Sequence, residues 1–294
     1  MAYRTDLAVE LLENLRGRDE FSGFSEREYE REGLHIHEAE VTTERAAQLL
    51  GKPCGRYLTL SLEALSRREE EAFPRSVRVL AALIETLLPP LDSAAPVLIA
   101  GLGSRSITPD AVGPRSADHV IATRHLISRS PEFFASWRPV SVLAPGVLGQ
   151  TGVETGEIVR GVLDHVRPRA VIAIDALAAG RLSRLVRTVQ LADTGIVPGS
   201  GVNNARAALD RQTLGVPVLS IGVPTVADGG SLAHEIAQQL DGAQCEALDD
   251  LSQPFIITTR DIDREVADTA RLIGYAVNMA LQHISVEEID LYLS

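Results

Sequence analysis

Lysine is almost missing from this chain of 294 residues, and Lys52 is the only one. A Schiff-base or phosphate-cradling lysine therefore has a single candidate, and Gly51-Lys52-Pro53 lacks the Ser or Thr of a P-loop. Aromatics make up only 4% of the residues, so aliphatic and alanine side chains must fill the core. The two cysteines, Cys54 and Cys245, stand alone with no C-x-x-C. A disulfide framework or zinc knuckle is thereby disfavoured, and a reducing interior fits better. A net charge of −12 argues against a groove that neutralises nucleic-acid phosphate. The N-terminal MAYRTDLAVELLENL has no apolar stretch of signal-peptide length, and no run reaches the roughly 18 apolar residues of a membrane span. The reading is a cytoplasmic protein with neither a nucleic-acid nor a membrane partner.

Several catalytic signatures are missing as well. No G-x-S-x-G elbow exists, since Ser200 follows Pro198-Gly199. G-L-G-S-R-S is not the dinucleotide fingerprint, and the histidines at 35, 37, 119, 125, 165, 234 and 283 form no H-E-x-x-H. The expectation is therefore no cofactor and no metal. His35 and His37 alternate on one strand face and read as solvent-side, whereas His125 reads as packed within a helix.

What the chain does have is a rhythm. With 45% hydrophobic residues it can bury a full core as one domain over 1–294, with residues 1–95 as flanking elements packed on the core sheet. Residues 67–88 read as a helix, with Val77, Val79, Leu80, Leu83 and Leu87 at helical spacing, stopped by Pro89-Pro90. Apolar runs and amphipathic stretches then alternate. Strands are expected at 97–101, 140–144, 169–174, 187–192 and 216–222, and helices at 109–128, 154–166, 178–186 and 230–240. Residues 254–259 read as a late strand or an extended lead-in and 261–281 as a final helix, with Val266, Ala270, Ile273, Ala276 and Met279 on one stripe. This alternation predicts an α/β fold, a mainly parallel twisted sheet with helices on both faces.

Two acids stand out against this pattern. Asp110 follows Val97–Gly103 in Thr108-Pro109-Asp110, and Asp175 directly follows the apolar run Ala170–Ile174. In open α/β sheets, ligands gather outside the carboxyl ends of the strands. Asp110 can instead merely complement a helix dipole, because Thr-Pro-Asp is a strong helix start. Asp175 can instead cap a helix or pair with Arg181 or Arg184. If the two carboxyls meet, they cannot both ionise easily, and the pair holds one proton between them. Such a pair can activate water for acid–base peptide hydrolysis, or can begin a metal site that needs a third ligand.

Around the acids, Gly101 and Gly103 belong to a turn whose backbone amides are expected to face an oxyanion. Asp193-Thr194-Gly195 matches the signature of pepsin-like proteases, but those are all-β folds. A loop role is preferred, with Asp193 a weaker third acid and Gly199, Ser200 and Gly201 a supporting wall.

Longer strings carry a resemblance. RTDLAVE (4–10), GRYLTL (55–60), GLGSRSITPDAVGP (101–114), ATRHL (122–126), RPVSVLAPGVLGQTGVET (138–155), AIDALAA (173–179), DTGIVPGSGV (193–202) and TLGVPVLSIGVPTV (213–226) resemble the germination endopeptidases of spore-forming bacteria. The resemblance implies an atypical aspartic endopeptidase that degrades the small acid-soluble proteins coating spore DNA. It implies a fold like the hydrogenase-maturation endopeptidases, synthesis as a zymogen with a propeptide, assembly as homotetramers and residence in the spore core. The family's proposed catalytic aspartates match Asp110 and Asp175. Three departures are visible: only Met1-Ala2-Tyr3 precede the match, the stretch from Val226 to Pro254 is short, and Asn203 stands where the family has glycine. Two rival readings are a metal-recognising maturation protease of the same fold and a non-catalytic binding protein.

Overall fold

The apolar runs of the middle of the chain are short, rich in Val, Ile and Ala, and buried on both faces, which is what interior strands of a helix-covered sheet require. In the computed structural model, which describes residues 5–15, 22–199, 206–230 and 256–294, they become β4 (Val97–Gly101), β5 (Val140–Leu143), β6 (Ala170–Ala179), β7 (Thr188–Ala192) and β8 (Val218–Asp228). They are preceded by β1 (Phe24–Arg31), β2 (Leu34–Val41) and β3 (Gly55–Ser61) and followed by β9 (Ile256–Ile257). The order across one sheet is β1-β2-β3-β7-β8-β6-β4-β5, with β9 added to β8.

The sheet is mixed rather than mainly parallel. Only β8-β6-β4-β5 run parallel, while β1, β2, β3, β7 and β9 pair antiparallel. The physical reason lies in the N-terminal third. Its strands join the sheet edge to edge instead of packing upon it, because hairpin β1–β2 continues into β3, which pairs with β7. The outermost strand, FSEREYER, carries charges along most of its length. Charge of that kind blunts an edge against pairing with another chain.

Helices cover both faces. On one face Ala72–Leu87, Val112–Asp118 and Ile262–Gln282 seal the largest core cluster, which includes Leu80, Ile84, Ile99, Ile172 and Ile273. On the other, Thr155–Val166 packs over Leu98, Ala100, Val171 and Ala173. The expected stripe of Val77, Val79, Leu80, Leu83 and Leu87 is buried, as are Val266, Ala270, Ile273 and Ala276 of the final helix. Among the described residues no helix is long and apolar enough to cross a membrane.

Two expected helices are corrected. Residues 109–128 form a 3-10 turn (Thr108–Asp110), then helices Val112–Asp118 and Arg124–Arg129. The break comes from Asn278 of the final helix. Its Oδ1 accepts from Ile121 N and its Nδ2 donates to His119 O, drawing the backbone away from helical pairing. In 178–186, β6 runs on to Ala179 and a 3-10 turn, Leu182–Arg184, follows. Ala176-Leu177-Ala178-Ala179 has helical propensity, but pairing with the long strand β8, across a bulge at Leu177/Ala178, overrides it. The expected helix at 230–240 falls mainly outside the described residues.

His37 is buried against Glu26 at 2.8 Å rather than facing solvent, because hairpin pairing lays β1 over it. His125 is exposed at the start of its short helix rather than packed.

Candidate active site

The chain enters the parallel part of the sheet at β4, crosses to β5 on one side and returns to β6 on the other. Such a reversal opens a crevice at the carboxyl ends of the two central strands. Of the two sequence-selected aspartates, one follows β4 and one stands within β6.

Asp175 extends β6 one residue past Ile174, whose carbonyl accepts from Leu102 N at 2.8 Å as β4 ends. It is 4% exposed, and its Oδ1 accepts from Ala176 N at 2.9 Å. Burial pushes its carboxyl well above the usual carboxylate range, and the charges of Asp110 and then Asp6 push it the same way, against the Ala176 N–H. Asp110 closes the 3-10 turn after β4, and its Oδ2 accepts from Ser104 N at 2.7 Å. Burial raises its pKa too, but here the Ser104 N–H opposes the rise. The electrostatics are lopsided, since Asp110 acts as a charge on Asp175. Of the two, Asp175 is the acid whose charged form its surroundings disfavour more.

The expected supporting glycines take a different part. A Cβ on Gly101 would lie 2.3 Å from Gly113 O, and one on Gly103, at φ +105°, would lie 2.1 Å from Asp110 O. These glycines let the exit of β4 and the start of the Val112–Asp118 helix pack backbone to backbone, which fixes where Asp110 sits. Two amides of the turn are engaged within the fold: Leu102 N donates to Ile174 O and Ser104 N to Asp110.

Asp193 is drawn elsewhere. Its Oδ1 accepts from Arg56 N at 2.8 Å, tying the end of β7 to the start of β3. Gly199 sits in a turn at φ +73°. Ser200, Gly201 and Asn203 lie outside the described residues.

The acid that coupling brings to Asp175 is Asp6, which sequence reasoning missed. Asp6 N donates to Ala178 O at 2.9 Å, and Asp6 Oδ2 accepts from Ala178 N at 2.9 Å, stitching the N-terminal segment onto the end of β6. An Asp just ahead of a helix reads as a local cap; only the unexpected extension of β6 gives it this place. Glu10 repeats the stitch one helical turn later, accepting from Gly180 N and Arg181 N, and burial raises its pKa.

Asp6 also lines a cavity of about 470 Å³ on the sheet face that carries Asp175. Leu177 and Gly222, the latter paired with Asp175, form its floor on that side. Lys52 stands in its wall, where burial lowers the ammonium pKa and the charge of Asp6 raises it. Thr194, Gly195, Ile196 and Val197 bring the D-T-G loop to the same cavity. Among the described residues no group of three or more His, Cys, Asp or Glu side chains is placed to hold a metal ion.

A buried acid on a central strand, raised by burial and by the charge of a half-buried second acid, is compatible with hydrolytic chemistry, and comparison with known proteins makes the class a peptidase. Residues 5–240 match the model of the germination protease family of peptidases. The chain is 39% identical over 309 residues to the germination protease of Caldanaerobacter subterraneus subsp. tengcongensis, covering 96% of this chain and 95% of that one. It is 44% identical over 240 residues to that of Bacillus subtilis (79% of this chain, 65% of the relative). It is 34% identical over 324 residues to that of Clostridium tetani, covering all of both. The chain belongs to the germination protease family.

Proposed function

We propose that this peptidase hydrolyses the small acid-soluble, DNA-protecting proteins of spores during germination, using water activated between Asp110 and Asp175. The observation that supports the reading is the lopsided pair: Asp175 is raised first by burial and then by the charge of Asp110, which itself keeps a backbone N–H donor. Asp110 takes a proton from water as the water oxygen attacks the scissile carbonyl carbon. Asp175 gives its proton to the carbonyl oxygen. When the tetrahedral intermediate collapses, the C–N bond breaks and the amine leaves with a proton returned through the pair. The cavity on the Asp175 face would receive part of the peptide. Assembly as a homotetramer, synthesis as a zymogen and residence in the spore core belong to the same reading.

Incubating the protein with a purified small acid-soluble spore protein, with and without chelator, tests the proposal by mass spectrometry of the products. Discrete internal fragments at equal rates in both arms are expected. Intact substrate in both arms would remove the assigned substrate, and cleavage that needs added nickel would point to the maturation-protease chemistry instead.

A pH dependence follows from the unequal acids. Activity requires Asp110 ionised and Asp175 protonated, so kcat/KM should fall on the acid side as Asp110 gains its proton. It should fall on the alkaline side as Asp175 loses its own. Because both pKa values are raised, the acid limb lies above the ordinary carboxylate range near pH 4. A profile flat from pH 4 to 8 would contradict this division of roles.

A further inference from the structure

Asp110 is not held by its own turn alone. Its carboxylate leans on Ser104 N–H, and Ser104 is fully buried in the loop leaving β4. What fixes that loop comes from the segment after β5. Gln150, in the short helix Leu148–Thr151, donates from Nε2 to Ser104 Oγ at 2.7 Å and to Ser106 Oγ at 3.1 Å. The two hydroxyl oxygens are 2.9 Å apart, and Ser106 N also donates to Ser104 Oγ at 3.3 Å.

Counting donors and acceptors gives this network a direction. A serine oxygen accepts two hydrogen bonds. Ser104 Oγ takes one from Gln150 and one from Ser106 N, so its own proton goes to Ser106 Oγ. The carboxamide of Gln150 is the donor at the head of this chain. It also joins the two strand exits, after β4 and after β5, that bound one side of the crevice.

We propose that Gln150 is a positioning residue for Asp110, clamping the Ser104–Ser106 loop so that the Ser104 amide stays aimed at the Asp110 carboxylate. The proposal rests on Asp110 being the base of the reaction. The opposite side of the turn is held independently, by Thr108 Oγ1 donating to Asp263 Oδ1 of the final helix at 2.8 Å. The charged groups on the elements around Asp110 are Asp175 from β6, Asp263 from the final helix, and Arg105 and Arg115. Arg105 is engaged by Asp118 and Arg115 by the carbonyl of Asp263. None of these charges changes when Gln150 is replaced by a neutral side chain.

The test uses Gln150→Met, which keeps length and loses the donor, and Ser104→Ala, which keeps the backbone N–H and loses the hub. For both variants kcat should fall about ten- to hundredfold with KM changed less than about threefold. The acid limb of kcat/KM should move up by about half to one pH unit, because a less directed N–H favours the ionised Asp110 less. The melting temperature should stay within a few degrees for Gln150→Met, since Gln150 is exposed. An unmoved acid limb overturns the proposal, whether activity is kept or falls equally at every pH. Asp110→Asn is run alongside: if that variant keeps full activity, the role of Asp110 as base has failed, and the positioning proposal falls with it for that distinct reason.

Discussion

Asp175→Asn is expected to abolish peptidase activity and to make the protein more stable at neutral pH. The amide oxygen can keep the bond from Ala176 N, so the geometry of β6 survives, but no proton can be given up. Loss of a proton donor of this type costs about 10²–10⁴-fold. The stability gain follows from linkage. The folded-state pKa of Asp175 lies above its unfolded value, so the folded chain holds the proton more tightly. The favourable contribution is complete below the unfolded pKa, near 4, and is lost as pH rises through the folded pKa. Each tenfold of extra proton affinity is ~1.4 kcal/mol that the wild-type protein forgoes once the pH passes the folded value. The variant should therefore melt above the wild type at pH 8, with the gap closing toward pH 4. Thermal melts of both proteins across that range check it. A variant that is inactive and less stable at every pH would mean that Asp175 is a structural side chain.

Gly113→Ala should be strongly damaging. A Cβ there would lie 2.2 Å from Leu102 O, 2.4 Å from Ile174 O and 2.5 Å from Leu102 N. All three are backbone atoms, and two of them form the bond that ends the β4–β6 pairing. Relief requires the Val112–Asp118 helix to back away, taking the Asp110 turn with it. A cost of about 3 kcal/mol or more is expected, a fall in melting temperature of roughly 6–12 °C, together with a large loss of activity. Gly161→Ala is the matched control. It lies on the exposed side of the Thr155–Val166 helix, and a methyl there meets no atom of another element within 4 Å. It should be neutral or stabilising by up to ~1 kcal/mol. Equal behaviour of the two variants in thermal denaturation would show that the close approach at Gly113 is not the constraint described.

The parts of this fold that sequence made legible are those where one physical signal dominates. Val97–Gly101 is five buried residues bounded by Pro96 and a glycine turn, and it could hardly be anything but an interior strand. The final helix shows itself in the apolar stripe Val266, Ala270, Ile273, Ala276 and Met279, of which only Met279 is not fully buried. The misreadings lie where two signals compete and a distant partner decides. Ala176–Ala179 prefers a helix until β8 is beside it. Phe24–Arg31 carries too much charge to look like a strand, because as the edge of the sheet it has solvent on one side. Asp110 and Asp175 were visible because each follows a buried run; Asp110 does lie beyond the end of its strand, whereas β6 continues past Asp175 to Ala179. Asp6 and Gln150 were not, since what matters about each is a bond to backbone or hydroxyl far along the chain.

The solitary lysine acquires a practical meaning from its position. A reagent that acylates amines at side chains finds one address in this polypeptide, and that address is the wall of the hollow beside Asp175. A single covalent tag can thus be installed in the wall of that hollow without engineering a cysteine, and whatever fills the hollow will shield it.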